Sequence, residues 1–182
     1  MLLHTAAREF KAHGFYNTSL DQVAELLGVS KPTIYYYFKD KDELLFACAQ
    51  AALDRLQEAL KDPRSLGQTG REGAVAFMQR YIEVMTSDFG HALVSTEDSD
   101  LQPDSRRKIR GEKVRINECL KAILERGVSD GSIAPCNVEL VTFAIFGAMN
   151  WIARWYTDRS PSPAEIAADF AKFFSEGLAP RA

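Results

Sequence analysis

Four polar side chains near the amino terminus carry groups that bind nucleic acids, and they recur at helical spacing. They are Lys31, Thr33, Tyr36 and Tyr37. Threonine offers a hydroxyl and a methyl group to base edges, and lysine reaches a guanine edge or a phosphate. Tyrosine hydroxyls donate to phosphate oxygens, which positions a protein without specifying sequence. Lys41, a few residues further on, adds another cation. This set predicts a short helix that faces a DNA duplex.

The residues around this set predict the turn that would position such a helix. Ser19 and Gln22 have the spacing of a capping box, which fixes the start of a helix. Gly28 suits the left-handed conformation that ends it. Ser30 is expected to cap the next helix, with Pro32 in its first turn. Two helices joined by a tight turn that contains glycine form a helix-turn-helix.

The aromatic run Tyr35–Phe38 leaves two interpretations open, because consecutive aromatic residues more often belong to a core. Three consecutive positions span about 200° of a helix, so at least one ring must face outward.

Charge restricts DNA contact to a small face. The whole chain has a net charge of −3, and residues 1–45 hold five lysines and arginines against six acids. A basic coat is therefore excluded, and the acids must face away from DNA.

The same segment resembles the DNA-binding domain of the TetR family of bacterial transcriptional regulators. The resemblance rests on matches spread over about 45 residues, namely Ala6, Phe10, Gly14-Phe15, Thr18-Ser19, Val23-Ala24, Gly28-Val29-Ser30, Thr33–Phe38, Lys41 and Leu44-Leu45. It implies an all-α homodimer whose third helix enters the major groove of an operator. It also implies a C-terminal domain that binds a small effector.

The resemblance assigns site residues position by position. Base contacts are implied for Lys31, Pro32, Thr33 and Tyr36. Phosphate contacts are implied for Thr18 or Ser19, and for Tyr35, Tyr37 and Lys41. One feature departs from the family, because members usually carry a basic arm before the first helix and here that helix starts almost at Met1.

The remainder of the chain predicts longer amphipathic helices, with no alternating run typical of a strand. The expected fold is all-α, with a three-helix helix-turn-helix domain over residues 1–45 and a helical effector-binding and dimerisation domain over residues 46–182. Composition predicts a linker over residues 63–73. Residues 138–156 are apolar nearly all round, so that helix is expected to be buried on most sides.

An apolar pocket with a few polar groups is expected in the C-terminal half, although core packing is the alternative for its apolar members. Asn150 and Arg154, four residues apart, would hold a carboxylate or an amide there, or else lie at a dimer interface or a solvated helix end. Residues 147–156 resemble the eighth helix of family members that respond to acyl-CoA thioesters or other lipid-like acids. The predicted ligand-binding residues are Phe77, Met78, Tyr81, Met85, Phe89, Leu120, Phe143, Met149, Asn150, Arg154 and Trp155.

The last two helices carry more apolar surface than one chain can cover, which favours a symmetric contact with a second copy. The alternative is that these aromatic residues form the core of a single chain. Residues predicted at the interface are Phe146, Gly147, Ile166, Phe170, Phe173 and Phe174.

These observations favour a ligand-responsive DNA-binding regulator, a repressor released from its operator by an apolar or amphipathic effector. The alternative is an all-helical scaffold or adaptor that does not bind DNA. The chain holds no phosphate-loop, H-E-x-x-H or C-x-x-C motif, so we expect no enzyme and no cofactor. Its three histidines lack ligand spacing, so no metal is expected. Without a signal peptide or a membrane span, the chain is expected in the cytoplasm.

Overall fold

The computed structural model describes residues 1–61, 67–157 and 159–180. Within these ranges the chain forms nine α-helices and a short 3-10 turn, with no strand, which confirms the all-α prediction. None of these helices is long and apolar enough to cross a bilayer. The helices are α1 (Leu2–His13), α2 (Leu20–Leu27), α3 (Lys31–Tyr37), α4 (Lys41–Leu60), α5 (Gly70–Met85), α6 (Asp88–Ser95), α7 (Pro103–Ser129), α8 (Val138–Trp155) and α9 (Pro163–Leu178).

The turn between α2 and α3 has the predicted chemistry, with one exception. The Ser19 hydroxyl accepts from the Gln22 backbone N–H at 3.2 Å, and the Gln22 side chain accepts from the Ser19 N–H at 2.8 Å. Gly28 ends α2 with φ of 65°, a left-handed conformation that costs glycine little. Ser30 precedes α3, but its hydroxyl bonds the Thr33 hydroxyl at 2.8 Å instead of a backbone N–H. The predicted Ser30 cap is therefore wrong, while Pro32 does lie in the first turn of α3.

Helix α4 connects the helix-turn-helix to the rest of the molecule. Asp40 caps its start by accepting from the Glu43 N–H at 2.9 Å. Its buried stripe includes Leu45, Cys48 and Leu56, and it packs against α1, α5, α6 and α7. Burial raises the pKa of the Cys48 thiol to about 12, so this cysteine is a small apolar core residue. Helix α4 therefore contacts both the helix that precedes the helix-turn-helix and the helices of the C-terminal half.

The predicted linker is shorter than composition indicates. Thr69 and Glu72 form a capping box, so the glycine-rich stretch 70–73 is the first turn of α5. Residues 63–66 of that linker lie outside the described residues. Gly70 is required by packing, because a Cβ there would lie 2.0 Å from the Gly127 backbone nitrogen. Helices α5 and α7 thus touch backbone to backbone at this point.

Helix α8 is half covered, which corrects the expectation that it is buried on most sides. Ile145, Met149 and Ile152 are buried, whereas Phe143 is 56% exposed and Trp151 is 62% exposed. The physical reason is that its main packing partners, α5, α6 and α7, all contact its buried stripe. The other face stays apolar and uncovered in the single chain.

Candidate functional site

The outer face of α3 is built by one buried anchor and a row of exposed side chains. Ile34 is fully buried and fixes the rotation of the helix against the domain. The remaining helical positions face outward, and Tyr36 is 84% exposed. We call this set the α3 face; it comprises Lys31, Pro32, Thr33, Tyr35, Tyr36 and Tyr37. A seven-residue helix with six exposed positions has the shape of a helix that enters a groove.

Lys31, at the start of the α3 face, is held by a neighbouring carboxylate. Its Nζ lies 2.6 Å from Asp21 Oδ2, on α2. The hydrogen bond and the charge of Asp21 raise the pKa of Lys31, so the ammonium keeps its proton. Any contact between Lys31 and a base or phosphate must compete with this ion pair.

Lys41, in the first turn of α4, lies on the aromatic surface that follows α1. Its Nζ is 4.4 Å from the centre of the Phe15 ring and donates to the Tyr16 carbonyl oxygen at 3.3 Å. A cation over an aromatic face is stabilised by the negative charge of the ring face. This arrangement holds the ammonium group at the edge of the helix-turn-helix.

Thr18 does not face outward, which corrects its assignment as a phosphate contact. The side chain is 3% exposed, and its hydroxyl donates to the Gly14 carbonyl oxygen at 2.9 Å. Its hydroxyl joins the turn after α1 to the start of α2. Of the two alternatives, only the exposed Ser19 remains open to a phosphate.

A cavity of about 240 Å³ lies inside the C-terminal half, between helices α4 to α8. Its polar centre is a hydrogen bond in which the Tyr81 hydroxyl donates to Asn150 Oδ1 at 2.7 Å. Burial raises the pKa of Tyr81, so its hydroxyl stays a neutral donor. The residues that line the cavity are Leu53, Leu56, Tyr81, Leu93, Val94, Lys113, Ile116, Asn117, Phe146 and Asn150.

The cavity wall combines an aromatic side with a polar side. The Phe146 ring meets the rings of Phe77 and Tyr81 nearly edge-on, with centres 5.9 and 5.3 Å apart. On the polar side, Lys113 Nζ donates to the Leu93 carbonyl oxygen at 3.4 Å. An elongated apolar molecule with one polar end matches such a wall.

Comparison with known proteins decides the family. Residues 2–48 match the family described as "Bacterial regulatory proteins, tetR family". Residues 67–178 match "Tetracyclin repressor-like, C-terminal domain". The chain belongs to the TetR family. The predicted function of a helix-turn-helix transcriptional regulator is thereby confirmed, and it takes precedence over a helical adaptor. TetR regulators bind operator DNA.

Three relatives illustrate the range of similarity. The TetR-family regulator PfmR from Thermus thermophilus is 28% identical, covers 98% of this chain and 99% of its own, and has a TM-score of 0.88. The "Fatty acid metabolism regulator protein" of Bacillus subtilis (strain 168) is 23% identical over 157 residues, which is 82% of this chain and 78% of that protein. AibR in complex with isovaleryl coenzyme A and operator DNA shares the fold, at 23% identity and a TM-score of 0.82, over 100% of this chain and 97% of its own.

Only part of the predicted pocket of this TetR protein lines the cavity. Tyr81 and Asn150 do, and Phe77 stacks behind Tyr81 with ring centres 5.9 Å apart. Phe143 and Trp155 are exposed and Arg154 lines a separate cleft, so none of these three lines this cavity. The remaining predicted members are buried in the core and do not line the cavity: Met78, Met85, Phe89, Leu120 and Met149.

Several lining residues were missed by sequence reasoning. Lys113 and Asn117 lie four residues apart on α7, so both project from one face of that helix. Leu53 and Leu56 belong to the apolar face of α4. The spacing of the α7 pair was a usable signal, but the basic run around it favoured a solvated face. Within the described residues, no cluster of histidine, cysteine and acidic side chains could hold a metal ion.

The predicted interface residues fall into two groups, those covered by their own chain and those that are exposed. Ile166 is buried within the chain, and Phe170 and Phe174 are half-buried against its core, which favours the core alternative for these three. Phe146 belongs to the cavity wall. Only Gly147 and Phe173 are exposed and remain available to a second copy.

Proposed function

We propose that this TetR protein is a homodimeric repressor that leaves its operator when a small amphipathic effector fills the internal cavity. The observation that carries this proposal is the position of the cavity against α4. Leu53 and Leu56 of α4 line it, and the same helix begins directly after the helix-turn-helix. We also propose residues 1–45 and 46–182 as the DNA-binding and effector-binding parts, with α4 running across the division.

The proposed DNA contacts follow the exposure of the α3 face. The hydroxyl and methyl of Thr33 suit a base edge, and Tyr36 is the most exposed aromatic residue of this helix. The groups at the edge of the α3 face are suited to contact phosphates. We assign base contacts to Lys31, Pro32, Thr33 and Tyr36, and phosphate contacts to Ser19, Tyr35, Tyr37 and Lys41.

The effector class follows from the size and polarity of the cavity. About 240 Å³ is below the roughly 300–1,000 Å³ of drug-sized ligand sites, so a short acyl chain fits and an entire coenzyme A does not. Lys113, Asn117 and Asn150 can bind a carboxylate or a thioester carbonyl. The names of two relatives, one acting in fatty acid metabolism and one bound to isovaleryl coenzyme A, support a carboxylic acid or its thioester.

A hydrogen bond between α4 and α7 provides the proposed route from effector to DNA. The Gln102 backbone N–H, at the start of α7, donates to Asp42 Oδ1 in the first turn of α4 at 2.7 Å. Gln102 has no side-chain cap of its own, so Asp42 serves as the cap of α7. A ligand that displaces α7 therefore acts on the residue next to Lys41. The ligand shifts the equilibrium between the operator-binding and the released state only by the difference between its affinities for these two states.

The proposed dimer forms through the uncovered face of α8 and its neighbour α9. Leu140, Phe143 and Trp151 on α8 and Phe173 on α9 are large, apolar and exposed. The three residues of α8 lie on one side of that helix, and a row of exposed apolar side chains of this kind marks an interaction surface. A two-fold axis through it would place two α3 faces against the two half-sites of an operator.

The function is tested by measuring operator affinity while an effector is titrated. The operator is first isolated from fragmented genomic DNA bound by the full chain, and fatty acids and coenzyme A thioesters with short acyl chains are then added. The expected result is a roughly 5- to 150-fold loss of operator affinity for one chain-length class, the usual range of coupling between sites. An Asn150→Leu variant should keep its operator affinity and lose the response, because its amide is removed.

A matched control and a contradicting result complete the test. Asn137→Leu changes the same side chain at the cap of α8, outside the cavity lining, and should respond like the parent. If every titrated acid and thioester leaves operator affinity unchanged, the proposed effector class is wrong. If no genomic fragment is retained at low salt, the proposed α3 contacts are wrong as well.

A further inference from the structure

A second concave site lies between the helix-turn-helix and the C-terminal half. It has a volume of about 360 Å³ and is lined by residues from α1, α4, α6 and α8 and by the chain after α1 and after α6. It shares no lining residue with the effector cavity. We call it the interdomain cleft. Lys11 of α1, His91 of α6 and Arg154 of α8 all line it, so three helices bring nitrogen-bearing side chains to one space.

The cations of this cluster are only weakly paired. Within the described residues, Arg154 makes neither a hydrogen bond nor an ion pair. Lys11 Nζ lies 3.7 Å from Asp88 Oδ1, a long contact with both side chains 30% exposed. Exposed pairs of this kind contribute little binding energy. Lys11, which is only loosely paired, and Arg154 are therefore two cations that an anion can approach, while Glu97 and Asp100 in the same lining balance their charge.

The imidazole of His91 lies between these two cations and is partly buried. Partial burial, together with the charges of Lys11 and Arg154, lowers the pKa of its imidazole, and only Asp88 acts in the opposite direction. The Ser95 hydroxyl, 3.4 Å from Nε2, is the group that neighbours the ring. An anionic group in this space would therefore be attracted to Lys11 and Arg154, and it would accept a hydrogen bond from a ring N–H of His91.

We propose that the interdomain cleft binds a small oxyanion, a carboxylate or a phosphate, between Lys11 and Arg154. The planar guanidinium of Arg154 suits two parallel hydrogen bonds to such a group, and Lys11 supplies a point charge. His91 supplies a ring N–H. Glu97 and Asp100 also line the cleft, so a ligand with several negative charges is disfavoured. The ligand class is therefore a molecule with one anionic group.

This site is independent of the proposed effector cavity, and its position gives it a distinct consequence. Lys11 belongs to the first helix of the DNA-binding part, whereas His91 and Arg154 belong to the C-terminal half. An oxyanion held by both sides adds a contact between the two parts. Its binding therefore biases their relative arrangement without occupying the cavity between α4 and α8.

The test follows the imidazole resonances of the full chain by nuclear magnetic resonance at fixed pH. Inorganic phosphate and acetate are titrated in separate arms at constant ionic strength, with chloride as the replaced anion. We expect saturable shifts confined to His91 among the three histidines His4, His13 and His91. The arm that saturates at lower concentration identifies the preferred oxyanion.

Two variants and a matched control make the test specific. Arg154→Gln and Lys11→Gln should each weaken binding about tenfold, the usual effect of removing one charged hydrogen-bond partner. Lys172→Gln removes an exposed cation of α9 outside the cleft and should bind like the parent. Circular dichroism checks that each variant is folded. Unchanged dissociation constants in both cleft variants, or the same shifts on adding chloride alone, would overturn the proposal.

Discussion

At the scale of single residues, the ion pair between Lys31 and Asp21 limits the charge offered to DNA. The pair spans 2.6 Å, and Asp21 Oδ1 is buried without a partner in the described part of the chain. Asp21→Asn should strengthen duplex binding, because Lys31 is released and a negative charge beside the α3 face is removed. The slope of log affinity against log salt should steepen by about 0.9. Fluorescence anisotropy at several salt concentrations measures both quantities.

Glu25→Gln is the matched control for this prediction. Glu25 is an exposed acid on the same helix, and no ion pair joins it to Lys31 among the described residues. It should change the affinity less and leave the slope nearly unaltered. An Asp21→Asn protein with the parental slope would remove Lys31 from the proposed contacts.

Thr33 is the residue on which sequence preference should depend most. Thr33→Ala removes a hydroxyl and a methyl from the α3 face and should relax preference at one or two base pairs, by about 1–3 kcal/mol each. Selection from random duplexes measures this effect. Tyr37→Phe is the comparison, because loss of a phosphate contact weakens all duplexes alike. An unchanged preference in Thr33→Ala would place base contacts elsewhere.

The two sites differed in how far the sequence predicted them. The α3 face depends on a local turn, and Ser19, Gln22 and Gly28 specify that turn within a short stretch of the chain. The cavity depends on five helices that meet at a distance, and periodicity identifies an apolar face without showing where packing leaves a space. Met149 and Tyr81 were thus equally good candidates, although one fills the core and the other lines the cavity.

At the scale of helices, the start of α5 depends on a carboxylate from the end of α7. Asp130 accepts from the backbone N–H of Gly70 at 2.7 Å and of Ser132 at 2.9 Å. Hydrogen bonds from Ser132 and Gly70 lower the pKa of Asp130 below its unfolded value of about 3.9. The stability that this group contributes is therefore present above that value. It is lost as the pH falls through the lower, native pKa.

Thermal unfolding from near-neutral pH down to about pH 2.5 tests this linkage. Asp130→Asn should lower the melting temperature at near-neutral pH, and its difference from the parent should shrink as the pH falls. Asp104→Asn changes an exposed acid in the first turn of α7 and provides the matched control. A difference between Asp130→Asn and the parent that stays constant across this range would contradict the assignment.

The cap that Asp42 gives to α7 carries a prediction about coupling. Asp42→Ala should cost about 1 kcal/mol of stability, as the loss of a helix cap usually does. It should also reduce the effector-induced loss of operator affinity, because α7 then moves without displacing α4. Asp54→Ala, on the exposed side of α4, should leave this response intact. A full response in Asp42→Ala would show that the signal takes another route.

At the scale of the whole molecule, the uncovered face of α8 should decide the oligomeric state. Trp151→Glu places a charge on this face and should give monomers in sedimentation velocity. Operator affinity should fall by at least about 100-fold, because paired half-sites lose their second contact. Val114→Glu alters an exposed apolar residue of α7 and is the control. A dimer that persists in Trp151→Glu would place the interface elsewhere.

Sequence reasoning anticipated an apolar surface on the last two helices but placed most of it on residues that the chain itself partly covers. Phe170 and Phe174 are half-buried against the core of their own chain, while Phe143 and Trp151 remain outside. The reason is that α9 packs on α5 and so covers much of its own aromatic stripe. Composition shows how much apolar surface exists, whereas the packing of the helices against one another decides which part stays exposed.

The backbone contact between Gly70 and Gly127 gives α7 the mechanics of a lever. Because the two backbones touch and neither glycine has a side chain that could adjust, we expect the carboxyl end of α7 to stay in place and to act as the fulcrum, the point about which the helix tilts. Ile116, in the cavity wall, is about 17 Å from this fulcrum along the helix, and Pro103 is about 36 Å away. A ligand that pushes the middle of α7 outward therefore moves its far end roughly twice as far. That end is the one tied to Asp42, so under the proposed mechanism we expect an effector to produce its largest displacement at the start of α4.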